Sequence, residues 1–264
     1  MRLKNHDISM YDESFLAQSI EKRMTETGCG SPEEFNSLLL SDSGEEDAFY
    51  GSLHINYSEF FRNPLTFAVL EEIVLPELIR KAHDQGRREL RIWSAGCASG
   101  QEPYSVAILL EELMESVVER FEYRIFATDV CTTRIAAGCA AEYSFQELCN
   151  VSLKRITKWF SRQGDSYKVN PRLTGRIVFS MFDVLDSRLS CPPESIFGNF
   201  DLILCCNLLF YYTAQYRKSI LEKLTNSLGS EAYLVTGETE RGFIMEHGYR
   251  EIFPWAAVFR RGNL

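Results

Sequence analysis

The sequence contains no apolar run approaching the ~18 residues that a bilayer-crossing helix needs, so no membrane insertion is expected. Residues 1–20 are polar and carry Asp and Glu, unlike a secretory leader, and a cytoplasmic protein is expected. Positive charge is in deficit: 28 Lys and Arg face 37 Asp and Glu, a formal net charge of −9. That balance gives no electrostatic reason to expect nucleic acid as a partner. Only four histidines occur, scattered and without ligand spacing, so no metal site is expected. The eight cysteines form no C-x-x-C pair, and reduced thiols are expected rather than a disulfide framework or a zinc site. There is no internal repeat and no low-complexity segment. Neither G-x-G-x-x-G nor G-K-[ST] is present, which removes the dinucleotide fingerprint and the phosphate loop.

What is present centres on Leu90–Ser105, LRIWSAGCASGQEPYS. A short apolar run turns through small residues, Ser94 to Gly100, into an apolar stretch from Val106 to Leu113. Strand, small-residue turn, helix is the layout of a ligand site at the carboxyl end of a parallel strand. Gly96 and Gly100 let the backbone pass close to a ligand. Further strands are expected at Tyr123–Thr128, Ile177–Met181, Phe200–Cys205, Ala232–Thr236 and Ala256–Arg260, with helices between them. The alternation predicts an α/β fold: a doubly wound, mostly parallel sheet covered on both faces. Residues 1–55 read as a short helical N-terminal domain with a linker, and 56–264 as the main domain. Within the latter, residues 142–175 break the rhythm and read as a small β-hairpin insertion. Trp93 and Trp159 are expected in the core.

Polar residues stand at successive strand ends. Asp129 closes the second expected strand, where a carboxylate can bond both ribose hydroxyls or, alternatively, cap the next helix. Asp183, beside Val184, could meet an adenine amino group or be a loop aspartate. Glu102 stands at a helix start, favoured there by the dipole in any case. Its ligand role would be to hold a cationic group. Asn207 could bond through its amide or cap a turn. Asn56, Ser58 and Arg62, in NYSEFFR, are polar and unexplained by packing.

These pieces resemble the CheR-type chemotaxis methyltransferases: NYSEFFRN (56–63), RIWSAGCASGQEPYSVA (91–107), FATDV (126–130), FDLILCCNLLFYY (200–212) and a weaker EKRM…SPEEF lead-in. The resemblance implies a Rossmann-like class I methyltransferase fold and a cytoplasmic enzyme that methylates glutamates on the methylation helices of chemoreceptors. S-adenosylmethionine is the implied cofactor and S-adenosylhomocysteine the product. Asn56, Ser58 and Arg62 would bridge cofactor and acceptor, with Arg62 close to the transferred methyl. Gly96 and Glu102 would lie against the methionine part, Asp129 on the ribose, and Asp183 with Val184 beside the adenine. Cys206 and Asn207 would lie under the sulfonium end, and Tyr211 would face the acceptor. Arg62 and Tyr211 are the implied catalytic pair.

The chain departs from the family pattern at Gln101, usually an acid, at Cys206, usually Arg, at Asp183, commonly Asn, and at Thr213, often Asp. The Ser161–Tyr167 loop is short, which argues against tethering on a receptor's C-terminal pentapeptide. A monomer is expected. Two rivals follow from the departures: a methyltransferase of the same fold with another acceptor, and a non-catalytic cofactor-binding adaptor.

Overall fold

Three short helices open the chain, each started by a side chain that answers a free amide. In the computed structural model, which describes residues 3–53, 57–116 and 121–262, α1 (Glu13–Thr27) begins where Asp12 accepts from the Ser14 amide. It ends at Gly28, whose φ of +76° suits a residue without a Cβ. Ser31 caps α2 (Pro32–Ser41) and Asp42 caps α3 (Ser43–Ser52). No residue of α1 is fully buried. Phe35, Leu39, Phe49 and Leu53, at most 2% exposed, join the same apolar cluster as Trp93, Phe126 and Phe200. Helices this short cannot bury enough surface alone, and these complete their cores on the main sheet.

Next, α4 (Pro64–Val69) runs through a π-helical turn (Leu70–Val74) into α5 (Leu75–Asp84). The sequence predicts one unbroken helix here. Pro76 has no amide for the Glu72 carbonyl, and the widened turn accommodates it. The chain continues as β1 (Glu89–Ala95), α6 (Gln101–Ser116), β2 (Glu122–Asp129) and α7 (Thr132–Ala140). A second, smaller sheet follows, from β3 (Glu142–Ser144), α8 (Leu153–Trp159), β4 (Phe160–Gln163) and β5 (Ser166–Val169). Its antiparallel order is β3-β5-β4. After α9 (Pro171–Thr174) come β6 (Ile177–Met181), β7 (Phe200–Cys205), α10 (Ala214–Ser227), β8 (Leu228–Thr236), α11 (Arg241–Glu246), β9 (Tyr249–Glu251) and β10 (Val258–Arg261).

The main sheet has the order β6-β2-β1-β7-β8-β10-β9. All its pairings are parallel except those of β10, which is antiparallel to β8 and to β9. This is the doubly wound α/β fold expected from the sequence. Two details differ: β9 has no counterpart in the sequence reading, and the last strand starts at Val258 rather than Ala256. Tyr249–Glu251 is too short and polar to show a period of two. Trp255 and Ala257, at φ +69° and +53°, belong to the reversal before β10. Trp93 and Trp159 are core residues, 0% and 1% exposed.

The strand order steps outward from β1 through β2 to β6, then crosses back to β7 on the other side of β1. The carboxyl ends of β1 and β7 therefore part, and their following loops leave a crevice.

Because the N-terminal helices share the main core, the fold should lose them and the sheet together. Phe49→Ala removes a ring that meets Phe35 edge-on at 5.5 Å between centroids. It is expected to cost about 3–5 kcal/mol, read by urea unfolding, with a single transition retained. A separate early transition for the N-terminal helices would contradict this packing.

Candidate active site

The crevice between β1 and β7 is a cavity, and the strand-end residues meet in it. From the turn after β1 come Gly96 and Ala98; from the start of α6, Glu102; from the end of β2, Asp129. From the loop after β6 comes Val184, and from the loop after β7, Cys206, Asn207 and Tyr211. The segment before α4 supplies Ser58 and Arg62. Asn56 lies outside the described residues.

The β1 turn is held from below. The amides of Gly96 and Cys97 both donate to the Thr128 carbonyl, at 2.8 and 2.9 Å. Gly96 has φ +77°, and a Cβ there would press on the Leu208 side chain at 3.4 Å. Asp129 accepts from the Ala98 amide at 3.0 Å and from the Cys131 amide at 2.9 Å. It ties the β1 turn to the start of α7, and each oxygen keeps a further lone pair for a ligand. Of the two roles weighed for Asp129 in the sequence, the helix cap is not formed, since Cys131 is the N-cap of α7 and that helix has no side-chain cap bond.

Asp183 is placed differently. Its side chain accepts from the Leu185 amide at 2.8 Å, is exposed, and lines a neighbouring groove rather than this cavity. Gln101 is also turned away. Its amide nitrogen donates to Glu147 of the small-sheet segment at 3.2 Å, and the residue is buried. A second carboxylate at position 101 would face Glu147 and repel it, so the neutral side chain answers to that neighbour.

The Tyr57–Asn63 segment is clasped by the small sheet and α6. Phe60 packs edge-on against Tyr143 and Phe160, at 4.9 and 5.5 Å. Glu59 accepts from Asn150 at 3.1 Å. The Phe61 amide donates to Ser105 at 3.0 Å, and the Arg155 guanidinium covers the Phe61 ring. Phe61 and Asn63 take φ of +50° and +60°, a strained backbone held by these contacts. Between them Arg62 reaches the cavity, its guanidinium 5.2 Å from the centre of the Tyr57 ring. It makes no ion pair with a described residue.

Two functional positions escape the sequence reading. Glu240 is 3% exposed and accepts from three main-chain amides: Asn207 at 3.1 Å, Leu209 at 2.7 Å and Gly237 at 2.7 Å. It fixes the loop that carries Asn207 and Tyr211. Gly237, one turn before it, leaves no room for a Cβ, which would fall 2.6 Å from the side-chain Nδ2 of Asn207 and 3.0 Å from its main-chain nitrogen. A strand end followed by Gly and an acid was the available signal. Tyr11 also lines the cavity. Its segment bridges the same loop: the Asp12 amide donates to the Tyr211 carbonyl at 2.8 Å, and the Thr213 amide to the Met10 carbonyl at 2.9 Å. Nothing in the polar lead-in marks it.

The residues present fit an adenosine-containing cation. Asn207 carries a buried Oδ1 with no partner among the described residues, an acceptor awaiting a donor. The carboxylate of Glu102 receives the Ser94 hydroxyl, at 2.6 Å. Burial pushes the Cys206 thiol and the Tyr211 phenol up, so both stay protonated at neutral pH. Val184, Phe182 and Val130 give the opposite end an apolar wall.

Residues 56–253 match the family described as CheR methyltransferase, SAM binding domain. The chain is similar to the chemotaxis protein methyltransferase of Listeria innocua, with 32% identity over 235 residues, 89% of this chain and 84% of that protein. Similarity to chemotaxis protein methyltransferase 1 of Pseudomonas aeruginosa is 30% over 235 residues, 87% and 82% of the two chains. For the chemotaxis protein methyltransferase of Salmonella typhimurium it is 28% over 225 residues, 83% and 73%.

Burial raises the Glu102 carboxyl above the usual carboxylate range, against the pull of Ser94, Cys206 and Arg62. A raised folded-state pKa means that the fold favours the protonated form. That contribution is full below the unfolded value of about 4.3 and is lost as pH rises through the higher folded value. Glu102→Gln stays neutral throughout. Its stability relative to the parent should therefore climb between pH 4 and pH 8, read by urea unfolding at each pH. A flat difference across that range would contradict the burial cost.

Proposed function

Because the chain belongs to the CheR methyltransferase family, we propose that it methylates glutamate carboxylates on the cytoplasmic methylation helices of chemotaxis receptors. S-adenosylmethionine supplies, when bound, a methyl group on a sulfonium leaving group. The observation that carries the reading is convergence: Ser58 and Arg62 from one segment, and the residues of four strand ends, line one cavity at the sheet's switch point.

Each residue then has a task. Asp129 would take the ribose hydroxyls with its free lone pairs. Glu102 and Asn207 would receive the donors of the methionine part. Val184 would flank the adenine. A glutamate carboxylate has a pKa of about 4.3 and is already ionised at neutral pH, so the site needs no general base. What it must supply is alignment and removal of water, and well-held reactants gain about 7–11 kcal/mol from orientation. Arg62, without an ion-pair partner among the described residues, would hold the acceptor carboxylate through two donors. Tyr211 keeps its proton and would donate to the same group.

The test is direct. Protein, methyl-labelled S-adenosylmethionine and receptor cytoplasmic fragments should give label on the fragments that alkali releases, as a carboxyl methyl ester requires. Label on small molecules alone, or cofactor binding without transfer, would replace this reading with another acceptor or with an adaptor. Arg62→Ala should lower methyl transfer about 10- to 100-fold, the worth of a lost hydrogen bond to a charged group. Its cofactor affinity by calorimetry should change far less. Equal losses in both measurements would remove Arg62 from the acceptor side.

A further inference from the structure

Arg62 leaves nearly all of its donors unused among the described residues, and one aromatic ring faces it. Its guanidinium carbon lies 5.2 Å from the centre of the Tyr57 ring, within the distance at which a cation is drawn to an aromatic face. One of its nitrogens also reaches the Tyr57 carbonyl, a long contact of 3.5 Å. No carboxylate among the described residues pairs with it. Tyr57 lines the cavity beside Arg62 and is 61% exposed, so core packing does not account for its place. Its hydroxyl donates to one oxygen of Glu59. The other Glu59 oxygen accepts from Asn150, in the small-sheet segment, at 3.1 Å. A chain of contacts thus enters the site from outside it: Asn150 to Glu59, Glu59 to Tyr57, and the Tyr57 ring to Arg62.

We infer that Tyr57 is a positioning residue for Arg62: its ring, latched by Glu59, aims the guanidinium at the acceptor and leaves the donors free. The inference rests on the acceptor role proposed above for Arg62. An arginine has a long, flexible stem, and bidentate capture of a carboxylate needs one orientation of its planar fork. A carboxylate neighbour could fix that orientation, but it would fill the fork that the acceptor has to use. An aromatic face attracts the same charge and takes up no N–H donor. The hydroxyl's bond to an anionic oxygen polarises the ring and strengthens that attraction. Both oxygens of Glu59 already receive donors, so Glu59 serves the latch and does not compete for Arg62.

Methyl transfer from labelled S-adenosylmethionine to receptor cytoplasmic fragments is followed with the full chain and its variants. Tyr57→Leu keeps bulk without the ring. It should lower kcat/KM for the fragments about 3- to 30-fold, the range of a cation–ring attraction from wet to dry surroundings. Tyr57→Phe keeps the face and should stay within about threefold of the unaltered chain. Cofactor affinity by calorimetry and the urea midpoint should hold in both, since the residue is exposed. With Arg62→Ala already present, Tyr57→Leu should cost nothing more, because its effect runs through Arg62. The same loss in that background would mark a merely structural role and overturn the inference. Full activity of Tyr57→Leu would do so too, as would a Tyr57→Phe variant as slow as Tyr57→Leu. A fall in cofactor affinity as large as the fall in transfer would put Tyr57 on the cofactor side, again against the inference. Cofactor binding without label on the fragments, in the unaltered chain, would overturn the acceptor reading and this inference with it.

Discussion

A carboxylate that receives main-chain amides holds this site in shape. The loop after β7 carries Asn207 and Tyr211, and it makes few hydrogen bonds of its own. Asn207 stands at φ +58°, a conformation that local preferences alone do not secure. Glu240 collects the amides of Asn207 and Leu209 from one side. Arg217 takes the Tyr212 carbonyl from another, at 2.6 Å, and also meets Asp12. The Met10–Asp12 segment closes the third side. A buried carboxylate is an expensive anchor, since burial raises its pKa against the pull of those amides. Its worth lies in accepting several donors at once, which an amide side chain with a single oxygen cannot match.

The acceptor side is assembled by different means. Arg62 lies between two residues of positive φ, and packing together with the hydrogen bonds of Phe61 to Ser105 and Asn150 to Glu59 holds it there. Phe60 and Phe61 anchor the segment, one ring against the small sheet and the other beneath Arg155. The small sheet thereby has a part in the site although none of its residues lines the cavity. Arg155 itself is fixed by Glu71 and Glu112, at 2.6 and 2.9 Å, so the clasp continues into the α4–α5 region.

The sequence was most informative where the fold forces chemistry to particular places. A parallel sheet delivers its strand ends to one edge, so Gly96, Asp129 and Asn207 could be picked out one at a time and then found together. Fold class was legible for the same reason, through the alternation of apolar strands and helices. Residues that act through tertiary neighbours were not legible. Glu240 works on amides far back along the chain, and Tyr11 reaches the cavity from a polar lead-in. Gln101 reads as part of the ligand turn, yet its side chain is governed by Glu147. Asp183 follows the end of β6, but its carboxylate accepts from its own turn and lines a neighbouring groove, which a strand-end pattern cannot reveal.

The bridge between Tyr11 and Tyr212 has a consequence for how the protein is made. Its two halves lie far apart in the sequence, so closing it requires a long loop closure. During synthesis the Tyr11 segment leaves the ribosome early and must wait for the loop after β7. The sheet can begin to form in the interval, but the wall of the cavity cannot. Ligand-binding competence thus waits on the loop after β7, and is reached only once that loop has emerged and met the Tyr11 segment.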